Sequence, residues 1–262
     1  MKNNKTKQNS LRWLVLVSLL INIFFNYYTN SITLNGQTVG DVSNQFPTLF
    51  TPAGYAFSIW GVIYFSLLVY AVYQLLPSQK GDSIYNELAL PFISINILSI
   101  IWLTLFIYEE IFSSTIAILL MLACSIILFG RSKRANFLQK GFGWISVPFG
   151  LYMGWLSVAT IANFSILLSG LNWERFLFSE TVWTIILTTV ALALAFIISY
   201  QFKDIVYPLV ISWAILAIHV ARAEEEPIIA SLSLIYAIAL VIWSVLFGIW
   251  IWKKQPQATS SS

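Results

Sequence analysis

Trp155, Ala159 and Asn163 recur every four residues, and Phe57, Trp60 and Tyr64 are separated by steps of three and four. On a helix such spacing puts each set on one face. A third set, Asn96, Ser99 and Trp102, is spaced by three. Indole, phenol and amide groups in this arrangement can stack on a flat ring and fix its polar edge by hydrogen bonds. The same rings can also serve as anchors at headgroup depth, where Trp and Tyr are favoured. Spacing alone leaves both readings open.

Other chemistry is poorly supplied. The single cysteine, Cys124, excludes an intramolecular disulfide and a cysteine-based metal cluster, and one histidine, His219, excludes a histidine-rich metal site. His219 reads as a hydrogen-bonded structural residue. No phosphate-cradling glycine motif and no metal-ligand pattern is present, and nothing resembles a hydrolase signature. The sequence therefore nominates no catalytic residue and no metal ligand. Nucleic acid is not an expected partner.

The elements that carry these residues are membrane spans. Hydrophobic residues make up 58% of the chain and charged residues 10%, against roughly 25% charge in soluble domains. Eight apolar stretches stand out, at 13–30, 53–76, 88–108, 112–130, 141–168, 181–200, 205–221 and 228–252, and none contains Asp, Glu, Lys or Arg. A span needs about 20 mainly apolar residues. The expected fold is all-α, a polytopic membrane helix bundle of eight transmembrane helices. The absence of intramembrane charge argues against an ion-coupled pump, a voltage sensor and a retinal-type Schiff base.

Charge gives an orientation. With a cytoplasmic N-terminus, Lys2, Lys5, Lys7, Arg12, Lys80, Arg131, Lys133, Arg134, Lys140, Lys203, Lys253 and Lys254 lie inside, and Arg175 and Arg222 outside. Cytoplasmic loops are expected to carry such an excess, so both termini are placed in the cytoplasm. Residues 1–12 read as a mobile basic tail, 253–262 as a second tail, and 31–52 as a long loop whose apolar end can fold over the bundle as a lid. Within that loop Asn35-Gly36 is a turn signal, and Thr51 with Pro52 is expected to start the second span as cap and first helical residue. Gly150 and Gly154 permit a close helix contact, within the bundle or between subunits.

Three segments resemble the TspO family of tryptophan-rich sensory and translocator proteins. The first is 51–64, with Pro52, Tyr55, Phe57, Trp60 and Tyr64. The second is 96–106, where Trp102 and Phe106 fit and Ser99 replaces an Asn, with Asn96 one turn earlier. The third is 148–163, where Trp155, Ala159, Thr160 and Asn163 fit and Pro148 is a looser match. The resemblance covers roughly residues 10–170. It implies a five-helix core, 13–170, around a pocket opening near the first loop, with three additional helices in 171–252.

It also implies a ligand site of Tyr55, Phe57, Trp60, Tyr64, Asn96, Ser99, Trp102, Trp155, Ala159 and Asn163. The ligand implied is a tetrapyrrole such as protoporphyrin IX or a similar small apolar molecule. No permanent cofactor is expected. The function implied is non-enzymatic binding or sensing. A carrier for a lipophilic metabolite and an intramembrane porphyrin-degrading enzyme are the alternatives. A bacterial-type plasma membrane and a homodimer fit the same resemblance.

Overall fold

The computed structural model describes residues 2–46, 48–138, 143–170 and 178–254. Lys140 and Arg175, used above, lie outside the described residues. The architecture is all-helical: α1 (Lys2–Ile32), α2 (Val39–Gln45), α3 (Ile59–Tyr73), α4 (Ile84–Ile107), α5 (Ile111–Leu138), α6 (Ser146–Gly170), α7 (Glu180–Phe202), α8 (Val206–Arg222) and α9 (Pro227–Lys254). Seven of the helical stretches are long and apolar enough to cross a membrane, and α8 is a shorter apolar helix. The eight expected spans are all present as helices. The basic stretch before Trp13 continues α1 rather than forming a separate tail.

The short α8 has 17 residues, about 25 Å at 1.5 Å per residue. It can be short because protein surrounds it. Tyr207, Val210, Ile211, Ala214, Ile215, Ala217 and Ile218 are all buried. The two glycines of α6 answer the question left by the sequence: their close contact lies within the chain, against α8. A Cβ on Gly154 would stand 2.9 Å from Val210 Cβ, and one on Gly150 would stand 3.5 Å from Val206 Cβ. Tyr207 Oη donates to Ser157 Oγ at 3.0 Å across the same seam. On its other side α8 meets α9, where Ser212 Oγ donates to Ala237 O at 2.9 Å. His219 Nδ1 lies 2.9 Å from Ala230 O, in agreement with a structural histidine.

Prolines inside these helices free carbonyls, and neighbouring helices take them. Pro91 lies inside α4 and has no N–H for the carbonyl four residues before it. That carbonyl, Glu87 O, accepts from Arg131 of α5. Pro208 likewise frees Asp204 O, which accepts from Ser199 Oγ at 2.6 Å. The Asp204 carboxylate caps α8 through Tyr207 N–H at 2.7 Å and pairs with Lys133 of α5 at 2.6 Å. Arg12 joins α1 to the α3–α4 connection, donating to Gln74 O, Gln79 O and Asp82 O.

These contacts gather Arg12, Lys80, Arg131, Lys133, Arg134, Lys203, Lys253 and Lys254 at one end of the bundle. The opposite end carries Asp41, Glu109, Glu110, Glu180 and Glu224 to Glu226, with Arg222 the basic residue among its described positions.

At that acidic end the α1–α3 connection is folded rather than loose. Asn35 and Gly36 both take positive φ, 58° and 74°, as the Asn-Gly pair leads one to expect. Thr38 and Asp41 close a capping box that starts α2. The Thr38 backbone N–H, then its hydroxyl, hold the Asp41 carboxyl below its usual range. Gln37 Nε2 donates to Ile107 O at 2.7 Å and to Glu109 Oε1 at 3.0 Å, tying the connection to the α4–α5 turn.

Thr51 and Pro52 do not start the second span as expected. Thr51 closes a turn with Thr48, its N–H donating to Thr48 O at 2.9 Å. The chain then passes through a 3-10 segment, Gly54–Ser58, and α3 begins only at Ile59. Ala53 takes a non-helical ψ of 145°, and its N–H donates to Ala217 O of α8 at 3.0 Å.

Candidate functional site

A cavity lies at the acidic end, beneath α2 and among α3, α4 and α6. Its lining is Val39 and Ser43 of α2, Pro52 and Phe57 before α3, and Trp60 of α3. Trp102 and Phe106 of α4 follow, then Trp155, Val158, Ala159, Ala162, Asn163 and Ile166 of α6. The cavity volume is about 40 Å³, and about 500 Å³ of empty space if the open mouth is counted.

The walls are aromatic and mutually braced. Trp155 meets Phe57 edge to face at 5.9 Å and Trp60 at 6.2 Å. Trp60 stacks on Tyr64 at 5.3 Å and meets Tyr152 edge-on at 5.9 Å. On the α4 side Trp102 stacks on Phe106 at 5.4 Å. Edge-to-face and offset stacks of this kind add about 0.5–1.5 kcal/mol each beyond area burial, so the rings have fixed places before any ligand arrives.

One amide holds three helices at this point. Asn163 Oδ1 accepts from Trp102 Nε1 at 2.9 Å, and Asn163 Nδ2 donates to Thr115 Oγ1 at 2.8 Å and Ser114 Oγ at 3.2 Å. Asn163 is 2% exposed and its polar atoms are all engaged. Its role is to orient the Trp102 ring. Trp155 differs: it is equally buried, lines the cavity, and its Nε1–H has no hydrogen-bond partner among the described residues. An unmatched buried donor carries a desolvation cost of roughly 1–3 kcal/mol.

Of the ten residues nominated from sequence, Phe57, Trp60, Trp102, Trp155, Ala159 and Asn163 come together around the cavity. Four do not line it. Tyr55 is 41% exposed and meets Trp213 of α8 edge-on at 5.2 Å, because the 3-10 segment turns it away from the helix face assumed for it. Tyr64 sits behind Trp60, its hydroxyl grouped with those of Ser99 and Tyr152 in the interior. Asn96 belongs to a separate network between α1 and α4. Its Oδ1 accepts from Asn22 Nδ2 at 3.0 Å, and its Nδ2 donates to Ser18 Oγ and Phe92 O.

The sequence reasoning missed Val39, Ser43, Val158, Ala162 and Ile166 and did not nominate Pro52 or Phe106. Val158, Ala162 and Ile166 were discoverable, since they extend the Trp155 face by steps of three and four. The Thr38-x-x-Asp41 capping box was the signal for α2.

A bundle of apolar helices with an aromatic cavity near one end defines a polytopic membrane protein with an internal pocket. The chain belongs to the family whose model is described as TSPO-like protein, which matches residues 12–246. The match runs through α8 and into α9, beyond the segments that carry the resemblance in sequence. Neither a curated protein nor a solved structure gives a match.

Proposed function

We propose that this TSPO-like membrane protein binds a flat, mainly apolar small molecule of the tetrapyrrole class in the cavity beneath α2. The observation that carries the reading is an aromatic slot lined by Trp60, Trp102 and Trp155, with the Nε1–H of Trp155 unpartnered among the described residues. A macrocycle with ring faces and carbonyl or carboxylate edges supplies both surfaces for stacking and an acceptor for that donor. At about 40 Å³ the closed cavity admits the edge of such a ring. Deeper insertion needs α2 to move, and α2 is a short helix of seven residues seated by the buried Val42 and tied to the preceding Gln37 through Gln45.

The described lining is aromatic and aliphatic apart from Ser43 and Asn163, a surface suited to binding or sensing a mainly apolar ring. With basic residues gathered at one end, the positive-inside rule places that end in the cytoplasm and the pocket near the opposite surface. A plasma membrane of the bacterial type suits this arrangement.

The test is a titration of purified protein with protoporphyrin IX, followed by quenching of tryptophan fluorescence. Trp60→Ala and Trp155→Ala are titrated alongside. Saturable quenching, weakened in both variants, is the expected result. Unchanged affinity in both would remove the proposed site.

A further inference from the structure

The pocket wall before α3 is held from outside the helices that form the pocket. Thr48 O accepts from Arg222 Nη2 at 3.0 Å, and Thr51 O lies 3.5 Å from the same nitrogen. Leu49 N–H donates to Glu180 Oε1 at 2.7 Å. Ala53 N–H donates to Ala217 O at 3.0 Å, and Ala56 O accepts from Trp213 Nε1 at 3.2 Å. Five backbone groups between Thr48 and Ala56 are thus engaged by α7 and α8. This strap carries Pro52 and leads into Phe57, both of which line the cavity.

We propose that Arg222 and Glu180 are positioning residues that seat this strap, so that α7 and α8 set access to the pocket. A cation and an anion grip adjacent points of one backbone segment, and charge-assisted hydrogen bonds are about twice as strong as neutral ones. Arg222 is well placed for the task. Its side chain is 15% exposed, and its contact with Glu225 is a loose 3.8 Å. Apart from Phe50 and Ala56, which are buried in the core, the strap is a turn and a 3-10 segment, elements that open locally more easily than long helices. Releasing the grip would let Pro52 and the α2 connection swing away from the slot without unfolding α4 or α6.

The experiment reads access directly. Ala159→Cys in a Cys124→Ala background places one thiol in the cavity wall of the full-length protein. Its maleimide labelling rate is measured with Arg222→Met, Arg222→Lys and Glu180→Gln added. Asn96→Ala, in the separate α1–α4 network, serves as a control that destabilises the bundle away from the strap. The expectation is about tenfold faster labelling in Arg222→Met, a smaller rise in Glu180→Gln, and partial restoration in Arg222→Lys, with the control near the parent rate. Equal rates in parent, Arg222→Met and Glu180→Gln would overturn the proposal, as would a control that rises with them. If Arg222→Met does not fold, Glu180→Gln decides.

The proposal rests on the pocket reading only for its consequence, a faster dissociation of protoporphyrin IX from Arg222→Met. If protoporphyrin IX does not bind at all, the ligand reading falls while the labelling rates still decide the role of the grip.

Discussion

Two sides of the cavity are built by different physics. The α4–α6 side is made of long helices with interlocked rings, and Asn163 closes the hydrogen bonds of Trp102, Ser114 and Thr115. The α2 and strap side is made of short segments, anchored in the core by Val42 and Phe50 and tied by a few polar contacts from Gln37, Glu180 and Arg222. A wall of long interlocked helices changes shape only at the cost of many contacts at once. A wall of short segments with few anchors opens locally at lower cost. On the proposed reading, the first side is the surface for a ring and the second the surface that admits it.

The rigid side is broken most severely where α6 meets α8. Gly154→Val puts branched atoms where a Cβ already stands 2.9 Å from Val210 Cβ. Overpacking of this kind costs about 1–3 kcal/mol or more, and a clear drop in the thermal midpoint of the purified protein is the expected outcome. A wild-type midpoint would mean that the α6–α8 seam is looser than described.

Next in size is a contrast between two asparagines. Asn163→Ala strands the Trp102 donor, at a cost of roughly 1–3 kcal/mol, and should weaken protoporphyrin IX binding as the ring loses its orientation. Asn96→Ala strands Asn22 at a similar cost in stability, yet should leave affinity unchanged, because its network lies between α1 and α4. Equal losses of affinity would collapse the distinction between the two amides.

Trp155→Phe keeps a ring and removes the N–H. A single hydrogen bond contributes about 0.5–1.5 kcal/mol, so affinity should fall several-fold, less than in Trp155→Ala. Isothermal titration of both variants checks the order.

The smallest effect belongs to the loose side. The Asp41 carboxyl is held below its usual range by Thr38. Its contribution to α2 is therefore present above the ordinary carboxylate range and lost as pH falls through the lowered value. Hydrogen exchange at the first turn of α2 should accelerate at that acidic pH, and Thr38→Ala should abolish the dependence. A pH-independent rate would contradict the capping role.

These contrasts also explain what could be read from the sequence. The spans were legible because uninterrupted apolar runs without charge have few alternatives to a membrane helix. The Trp155, Ala159 and Asn163 face was legible because steps of four advance only about 40° beyond a full turn. Asn96, Ser99 and Trp102 misled for the matching reason. Each step of three falls about 60° short of a turn, so Asn96 turns to α1 while Trp102 reaches the cavity. Tyr55, nominated through the family resemblance, lies in the 3-10 segment before α3 and meets Trp213 instead of the cavity. The grip of Arg222 and Glu180 on the strap had no local signal at all. Its partners are separated by 174 and 131 residues, and the packing of α8 against α6 and of α7 against α8 brings them together.

The most direct test is to fill the cavity. Ala159→Leu adds bulk to the slot between the Trp155 and Trp102 sides and leaves the ring contacts in place. Protoporphyrin IX affinity is measured for this variant and for the parent, with the thermal midpoint of each. Saturable binding in the parent, lost by at least about tenfold in Ala159→Leu at an unchanged midpoint, is the result predicted for ligand occupying this cavity. Equal affinity in the two proteins would place the ligand elsewhere and contradict the account.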